Sequence, residues 1–384
     1  MRVVTQTPSQ SQVRDSATYS ERLAAAARAA GDIGFDALLV TPSADLAYLT
    51  GYHAPALERL TCLVLLSRGE PLLLVPALER LAALDSPVGE LGLAVQTWTE
   101  TDDPYGMVAG LLGPDVARVA IDNRMWAEKV LALRAALPGV DQVLAGQVLR
   151  ELRMRKSPAE VAALRDAAQA IDRVHARMGE WLRVGRTERE VAADIADAIV
   201  HEGHERTDFV IVATGASGSS PHHEPTDRVV VEGDPVVVDI GGTTHSGYCS
   251  DSTRTYAVGA PPEDFLAYYG VLLQAQIAAC DAVRPGVSCA QVDAAARDVI
   301  DAAGYGAEFM HRTGHGIGQE THEDPYIVAG NELALEPGMA FSIEPGIYLD
   351  GRHGARIEDI VVCTADGVER LNQRPRELVV LDAS

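Results

Sequence analysis

Four carboxylates of this sequence lie within or directly beside runs of β-forming residues, where charged side chains are uncommon. They are Asp239, Asp251, Glu344 and Glu358. A carboxylate loses its hydration on burial, and residues that face each other across a β-ladder are only about 5 Å apart, so like charges repel. We therefore expect bound cations to compensate these four charges.

The segment between the two acidic pairs is rich in glycine and histidine. It reads His311-Arg-Thr-Gly-His315-Gly-Ile-Gly-Gln-Glu-Thr-His322. One imidazole with four carboxylates suits two divalent ions such as Mn²⁺, Co²⁺, Fe²⁺ or Zn²⁺. Two such ions, roughly 3.5–4 Å apart, can share a water molecule and polarise a carbonyl group. Each of these side chains alone is more often a turn, cap or core residue, but their joint order favours metal-assisted hydrolysis.

The elements that would position these residues fall into two parts. The first part alternates strands and helices, with helices predicted over residues 20–30 and 127–137 and strands over 37–40, 61–66, 71–75 and 116–121. A Ser-Pro-Ala-Glu capping box at 157–160 then opens a long Ala-rich helix. With 384 residues the chain exceeds the usual size of a single core. We predict an α/β (α+β) protein with a polar tail (1–18), a small α/β domain (19–150) and a catalytic domain (151–384).

The second part contains a weak internal repeat. Gly185-Arg-Thr187-Glu-Arg-Glu190 and Gly286-Val-Ser288-Cys-Ala-Gln291 each contain a Ser/Thr-x-x-Glu/Gln capping box. A hairpin is predicted after each copy, over residues 229–257 and 339–364, and each hairpin contains two of the four carboxylates. We therefore predict a duplicated unit of helices and a hairpin.

In this order the motifs resemble those of the pita-bread metallopeptidases, a family that includes prolidase (Xaa-Pro dipeptidase), aminopeptidase P and methionine aminopeptidase, with creatinase as a metal-free relative. The matching stretches are Asp239-Ile-Gly, Ser250-Asp251-Ser-Thr-Arg-Thr, Gly314-His315-Gly-Ile-Gly, Ser342-Ile-Glu344-Pro-Gly and Arg356-Ile-Glu358-Asp. Tyr48-Leu-Thr-Gly-Tyr52 resembles the N-terminal domain of the creatinase and prolidase branch. The resemblance covers nearly the whole chain and implies a creatinase-like α/β domain followed by a pita-bread domain with pseudo-twofold symmetry.

The resemblance also implies the metal ligands. Asp239 would bind one ion, His315 and Glu344 the other, and Asp251 and Glu358 would bridge the two, with Mn²⁺ as the first candidate. In the family the two Asp ligands are commonly one residue closer together than the twelve residues that separate Asp239 and Asp251. We expect a longer hairpin loop to absorb the extra residue, because a shift of register by one would turn Asp251 to the other face of the sheet.

Further residues around the substrate are implied in the same way. Glu344 would also act as the proton shuttle, and His222 and His322 would contact the substrate and steady the tetrahedral intermediate. His223 directly follows His222 and is an alternative to it. His311 and Arg356 match positions around the substrate and the metal ions.

Composition and charge argue against nucleic-acid binding, membrane insertion and a disulfide framework. A net charge of -23, without any basic cluster, disfavours nucleic acid as a partner. No window resembles a membrane span, and the polar start lacks the apolar core of a signal peptide, so we expect a cytoplasmic protein. Five scattered cysteines without a C-x-x-C pair predict reduced, mostly buried thiols.

The expected activity is hydrolysis of the peptide bond that precedes proline. The substrate would be a short proline-containing peptide, and Xaa-Pro dipeptides are the first candidate. Aminopeptidase P activity on longer peptides, a catalytically inactive binding protein with the same fold and metal-free hydrolysis of the creatinase type are the alternatives. The family resemblance also implies a homodimer.

Overall fold

The computed structural model describes residues 15–383 of the chain and consists of two compact units, which meet in sequence between residues 153 and 154. In the described residues, no helix is both long enough and apolar enough to span a bilayer. All five cysteines are buried and free, as predicted.

The first unit alternates helices and strands as the sequence predicts. Its helices are α1 (Ser16–Asp32), α2 (Ala44–Thr50), α3 (Arg80–Asp85), α4 (Pro104–Leu112), α5 (Ala127–Ala136) and α6 (Gly146–Met154). Its strands are β1 (Ala37–Val40), β2 (Cys62–Leu66), β3 (Leu72–Pro76), β4 (Ala94–Trp98), β5 (Arg118–Ile121) and β6 (Asp141–Leu144). They form one mixed sheet in the order β4-β3-β2-β1-β5-β6.

Strand β1 lies inside this sheet and is buried on both faces. Leu38 and Val40 belong to the hydrophobic core on one face, whereas Ala37 and Leu39 belong to the core on the other. A strand covered on both faces needs an unbroken apolar run rather than an alternating pattern. This explains the sequence Ala-Leu-Leu-Val.

Helix α1 is longer than predicted at both ends. It begins at Ser16, and the carboxylate of Asp15 accepts a hydrogen bond from the backbone N–H of Ala17, which satisfies a free donor of the first turn. The polar tail predicted over 1–18 is therefore wrong for residues 16–18, which are helical. Residues 1–14 of that tail lie outside the described residues.

The second unit contains five helices and eleven strands among its described residues. The helices are α7 (Pro158–His175), α8 (Met178–Trp181), α9 (Glu188–His201), α10 (Glu263–Ala282) and α11 (Cys289–Ala302). The strands are β7 (His204–Thr214), β8 (Pro235–Thr244), β9 (Cys249–Val258), β10 (Gly314–Gly316), β11 (Glu323–Ile327), β12 (Ala340–Ile343), β13 (Gly346–Leu349), β14 (His353–Arg356), β15 (Asp359–Cys363), β16 (Val368–Arg370) and β17 (Val379–Leu381). They form sheets of order β17-β9-β8-β7 and β11-β10-β12-β15-β16 and the hairpin β13-β14.

The duplication in this unit is visible in its hydrogen bonds. Thr187 and Ser288 each form a complete capping box, at the start of α9 and α11. Each of these cap residues also forms an antiparallel bridge to the segment that leads toward the following strands, Thr187 with Val229 and Ser288 with Ala334. In both halves, the N-cap residue of a helix thus pairs with the segment that precedes the next strands. Each half also has its own hydrophobic core.

The first predicted hairpin is confirmed as β8–β9. Its register shows on which face of the sheet Asp239 and Asp251 lie. Asp239 pairs with Thr253 and Gly241 pairs with Asp251. Because Asp239 and Gly241 are two residues apart, Asp239 and Asp251 lie on the same face of the sheet. The register is continuous from Pro235–Ala257 to Thr243–Cys249, so Asp251 is not turned to the other face of the sheet.

The second predicted hairpin, over residues 339–364, is wrong as a single hairpin. Strands β12 and β15 do pair, with Ile343 opposite Asp359, but the separate hairpin β13–β14 is inserted between them. Glu344 follows the last residue of β12, and Glu358 precedes the first residue of β15. These two carboxylates therefore lie where paired strands separate, rather than within strands.

Candidate active site

The five predicted metal ligands come from both halves of the second unit and meet in one place. Asp239 and Asp251 lie on β8 and β9, His315 lies on β10, and Glu344 and Glu358 lie at the adjoining ends of β12 and β15. Three overlapping triads have donor atoms within 4.8 Å of one another: Asp239, Asp251 and Glu358; His315, Glu344 and Glu358; and Asp251, His315 and the exposed His322. Glu358 belongs to the first two triads, so two ions could share it.

The imidazole of His315 faces this cluster with its Nε2 atom. Its Nδ1 is 3.1 Å from the carbonyl oxygen of Gly316, to which an Nδ1–H group can donate. Its Nε2 then faces carboxylate oxygens, 3.1 Å from Glu344 Oε1 and 3.6 Å from Asp251 Oδ2. With Nδ1 directed at a backbone carbonyl, Nε2 is the nitrogen that can offer a lone pair to a cation bound among these oxygens, as in a metal-ligating histidine.

The glycines on either side of His315 permit the close strand packing that fixes its ring. A Cβ atom at Gly314 would overlap the carbonyl oxygen of Ser342 on β12, and one at Gly316 would overlap the carbonyl of Asp324 on β11. Only glycine lets β10 pass between its neighbours at this distance. The Gly-His-Gly motif thus has a steric reason besides its chemistry.

The carboxylates of the cluster are buried with incomplete compensation. Asp251 and Glu358 are only 3 % and 1 % exposed. Asp239 Oδ1 and Glu358 Oε1 are buried and have no hydrogen-bond partner among the described residues. Buried acceptors are normally satisfied, so these oxygens fit a site that receives divalent cations.

The crowding also shifts the protonation of the carboxyl groups. Burial raises the pKa of Asp251 well above its usual range, and the charges of Glu358 and Asp239 raise it further. Burial, Glu344 and Asp239 raise the pKa of Glu358 in the same way. Burial alone would also raise the pKa of Glu344, but the hydrogen bond and charge of His315 lower it to about 2. Two dications would offset the repulsion that raises the pKa values of Asp251 and Glu358.

Arg356 is a buried cation that touches this cluster. Its Nη2 donates to Asp239 Oδ2 at 2.6 Å, and its Nη1 donates to the hydroxyl of Tyr348 at 2.7 Å. Tyr348 in turn lies 2.9 Å from His311 Nε2, while His311 Nδ1 faces the carbonyl of Arg312. Arg356, Tyr348 and His311 therefore form a chain of hydrogen bonds that leads away from Asp239.

Tyr348 and Thr253 are site residues that the motif-based reasoning missed. Tyr348 joins Arg356 to His311, and Thr253 donates to Glu358 Oε2 at 2.8 Å and accepts from Arg356 Nε at 3.1 Å. Thr253 lies within the Ser-Asp-Ser-Thr-Arg-Thr motif and could have been considered, because it faces Asp239 in an antiparallel pair. Tyr348 had no comparable signal, since its position depends on the inserted hairpin.

A cavity of about 820 Å³ opens onto the metal cluster. Its lining includes His222, His311, His322, Arg312 and Phe209. His322 lies at the exposed edge of the cavity, with its ring centroid 3.9 Å from that of His315. Partial desolvation and the charge of His315 lower the pKa of His322 to about 4. The cavity thus combines donors for a substrate with apolar surface.

The adjacent histidines His222 and His223 occupy different surroundings. His222 lines the cavity, whereas the Nε2 of His223 lies 2.8 Å from the carboxylate of Glu188. His222 is therefore the one placed to meet a substrate.

Each of the two units matches a known protein family. The model of the metallopeptidase family M24 matches residues 162–365, and that of the creatinase/prolidase N-terminal domain matches residues 22–155. A probable dipeptidase PepE of Mycobacterium tuberculosis is 55% identical over 370 residues, covering 96% of this chain and 98% of that protein. An Xaa-Pro dipeptidase of Lactobacillus helveticus is 35% identical over 365 residues, covering 91% and 96%.

A solved structure agrees with these sequence matches. The crystal structure of dipeptidase PepE from Mycobacterium ulcerans superimposes with a TM-score of 0.93 at 56% identity, covering 96% of this chain and 99% of that one. The duplicated fold, the clustered carboxylates and these matches lead to one conclusion. The chain belongs to the metallopeptidase family M24, with a creatinase/prolidase-type N-terminal domain.

Proposed function

We propose that this protein is a dinuclear-metal-dependent dipeptidase that cleaves Xaa-Pro dipeptides. Asp239, Asp251, His315, Glu344 and Glu358 would hold the two ions, with Mn²⁺ as the first candidate and Co²⁺, Zn²⁺ or Fe²⁺ as alternatives. The observation that carries the proposal is the pair of donor triads that share Glu358 and leave buried carboxylate oxygens without a protein partner.

The side chains divide the work of hydrolysis between them. When bound, the ions supply an activated water molecule and polarise the scissile carbonyl. Glu344 accepts a proton and passes it to the leaving nitrogen, and His322 and His222 donate hydrogen bonds to the substrate and to the charge that develops on its carbonyl oxygen. Arg356 holds Asp239 in place through the 2.6 Å contact.

Arg312 favours a dipeptide over a longer substrate. Its guanidinium lines the cavity, stacks 4.5 Å from the ring centre of Tyr326 and lies 3.5 Å from His322 Nδ1. None of the ion pairs found among residues 15–383 gives it a carboxylate partner. A dipeptide ends in a carboxylate one residue beyond the scissile bond, and a bidentate pair with Arg312 would bind it. The name of the Lactobacillus helveticus relative supports proline as the second residue.

The test compares Xaa-Pro, Xaa-Ala and Xaa-Pro-Xaa peptides, each assayed with the metal-loaded enzyme and the Arg312→Gln variant. We expect Xaa-Pro to be cleaved with the highest kcat/KM. We also expect Arg312→Gln to lower that value about tenfold, because one charged hydrogen-bonded pair is lost, while tripeptide cleavage changes little.

Two results would redirect the proposal. Preferential cleavage of Xaa-Pro-Xaa by the parent enzyme would assign it to the aminopeptidase P type. Absence of hydrolysis of every peptide, with two ions bound, would indicate a binding protein with the same fold.

A further inference from the structure

A buried carboxylate outside the metal cluster joins a helix to a loop of the active site. Glu188 is the first residue of α9 and is 0 % exposed. Its Oε1 accepts hydrogen bonds from the backbone N–H and hydroxyl of Thr214, at 2.9 and 2.8 Å. Its Oε2 accepts from the backbone N–H and hydroxyl of Thr226, at 3.0 and 2.7 Å, and faces His223 Nε2 at 2.8 Å.

The two threonines are the two ends of one loop. Thr214 is the last residue of β7, and the chain returns at Thr226 after the segment 215–225. Ser220, Pro221 and His222 of this segment line the cavity. A single carboxylate therefore closes the base of the loop that brings His222 to the site.

The charge of Glu188 suits this task. Burial alone would raise its pKa, but the hydrogen bonds from Thr214, His223 and Thr226 outweigh burial and lower the pKa to about 2. Glu188 also lies in the first turn of α9, where the free N–H groups and the helix dipole favour an anion. The carboxylate is thus ionised at neutral pH and presents acceptor oxygens to both ends of the loop.

The other half of the duplicated unit contains a related arrangement. Asp293, on α11, is 1 % exposed, and its Oδ1 accepts from the backbone N–H and hydroxyl of Thr313, at 3.1 and 2.8 Å. Thr313 lies between His311 and His315 in sequence. In both halves, a buried carboxylate on the capped helix holds a threonine next to a histidine-bearing segment.

We infer that Glu188 is a positioning residue for substrate binding, which fixes the segment 215–225 so that His222 faces the cavity while His223 is held away from it. The inference rests on the proposed peptidase function for its kinetic consequence. Because Glu188 acts through a side chain that contacts bound substrate, its loss should raise KM more than it lowers kcat. A merely stabilising carboxylate would change the melting temperature without that kinetic signature.

The test uses Glu188→Gln, which keeps the size of the side chain but replaces an acceptor oxygen with a donor facing Thr226. Glu190→Gln is the matched control, since Glu190 lies on the same turn and caps the helix without reaching the loop. We expect Glu188→Gln to raise the KM for Xaa-Pro about tenfold with kcat within threefold, and Glu190→Gln to leave both unchanged. The effect should vanish in a His222→Ala background, because the two residues act in series.

Hydrogen exchange of the substrate-free protein supplies a readout that does not depend on activity. We expect faster exchange of the amides of 215–226 in Glu188→Gln than in the parent or in Glu190→Gln. Unchanged exchange there, or an unchanged KM in an active enzyme, would overturn the inference. If the parent enzyme hydrolyses no peptide, the proposed function fails, and the exchange data still decide whether Glu188 holds the loop.

A milder variant covers the case in which Glu188→Gln does not fold. Thr226→Val removes one of the hydrogen bonds at an exposed residue. An increase in KM of about threefold is expected, and a KM equal to that of the parent would contradict the inference.

Discussion

At the scale of single residues, the site is defined by charges that the protein alone leaves unbalanced. Four carboxylates and His315 converge, and Arg356 is the cation that contacts one of the carboxylates, at Asp239 Oδ2. Arg356 also donates to Tyr348 and Thr253, so it orients the cluster as much as it neutralises it. The residue chemistry of the site is that of a receptor for dications.

Glu344 gives a prediction at this scale. It lies 3.1 Å from His315 Nε2 and accepts a hydrogen bond from Ser342 at 3.0 Å, so its second oxygen is available to carry a proton. Glu344→Gln keeps the shape of the side chain but cannot shuttle protons. We expect kcat to fall about 10³-fold, within the usual contribution of a general acid–base group.

The control for this variant is Glu336→Gln, which alters an exposed ion pair with Arg155. Its kcat should equal that of the parent. A Glu344→Gln enzyme with kcat within a few-fold of the parent would exclude Glu344 as the proton carrier. Metal content measured on both variants separates loss of an ion from loss of the shuttle.

The sequence pointed to the candidate metal ligands more directly than to the residues that contact them. The five proposed ligands lie in motifs with a distinct order, and the structure brings all five together. Tyr348 and Glu188 are ordinary in sequence and acquire their roles from tertiary contacts. Such residues cannot be found before the fold is known, because their chemistry depends on which segments approach them.

At the scale of elements, apolar runs and capping boxes predicted only part of the helices and strands; in the first unit, α2, α3, α4, α6, β4 and β6 were not predicted. Burial on both faces gives β1 an uninterrupted apolar sequence, and the three Ser/Thr capping boxes start α7, α9 and α11 where predicted. The inserted hairpin β13–β14 was not predicted, although Pro345-Gly346 and Asp350-Gly351 are turn signals. Both turn signals lie inside the segment 339–364, for which a single hairpin is predicted.

His204 connects several elements and gives a prediction on pH. Its Nδ1 lies 3.1 Å from the carbonyl of Ile199 in α9, and its Nε2 lies 2.7 Å from the hydroxyl of Ser250 in β9. Burial lowers its pKa to about 4, while the nearby charge of Asp208 raises it and those of Arg173 and His245 lower it. At His204, the folded protein therefore binds fewer protons than the unfolded chain between pH 6.5 and 4.

The stabilisation from neutral His204 is present above pH 6.5 and is lost as the pH falls toward 4. When the pH falls from 7 to 5, protonation of His204 in the unfolded chain should lower the free energy of unfolding by about 2 kcal/mol. Urea denaturation of the chelated protein at both values would measure the loss in the parent and in His204→Gln. Between these two pH values, the unfolding free energy of His204→Gln should fall by about 2 kcal/mol less than that of the parent. Equal decreases in the two proteins would show that His204 does not cause the pH dependence.

At the scale of the whole molecule, function is concentrated in the duplicated second unit. Its two halves have separate hydrophobic cores, and each half supplies candidate metal ligands to one cluster. The sequence predicted this two-part organisation from length, capping boxes and paired acidic motifs. Substrate preference depends on the shape of the cavity and on residues such as Arg312, which local sequence patterns do not encode.

Metal stoichiometry is the most direct test of the central claim, that the buried carboxylates of both halves are tolerated because two dications bind between them. Elemental analysis and calorimetric titration of chelated protein with Mn²⁺ would count the ions, with peptidase activity and melting temperature followed at each step. We predict two ions per chain, activity that appears only on loading and a melting temperature that rises with occupancy. Full activity and an unchanged melting temperature in metal-free protein would contradict the account.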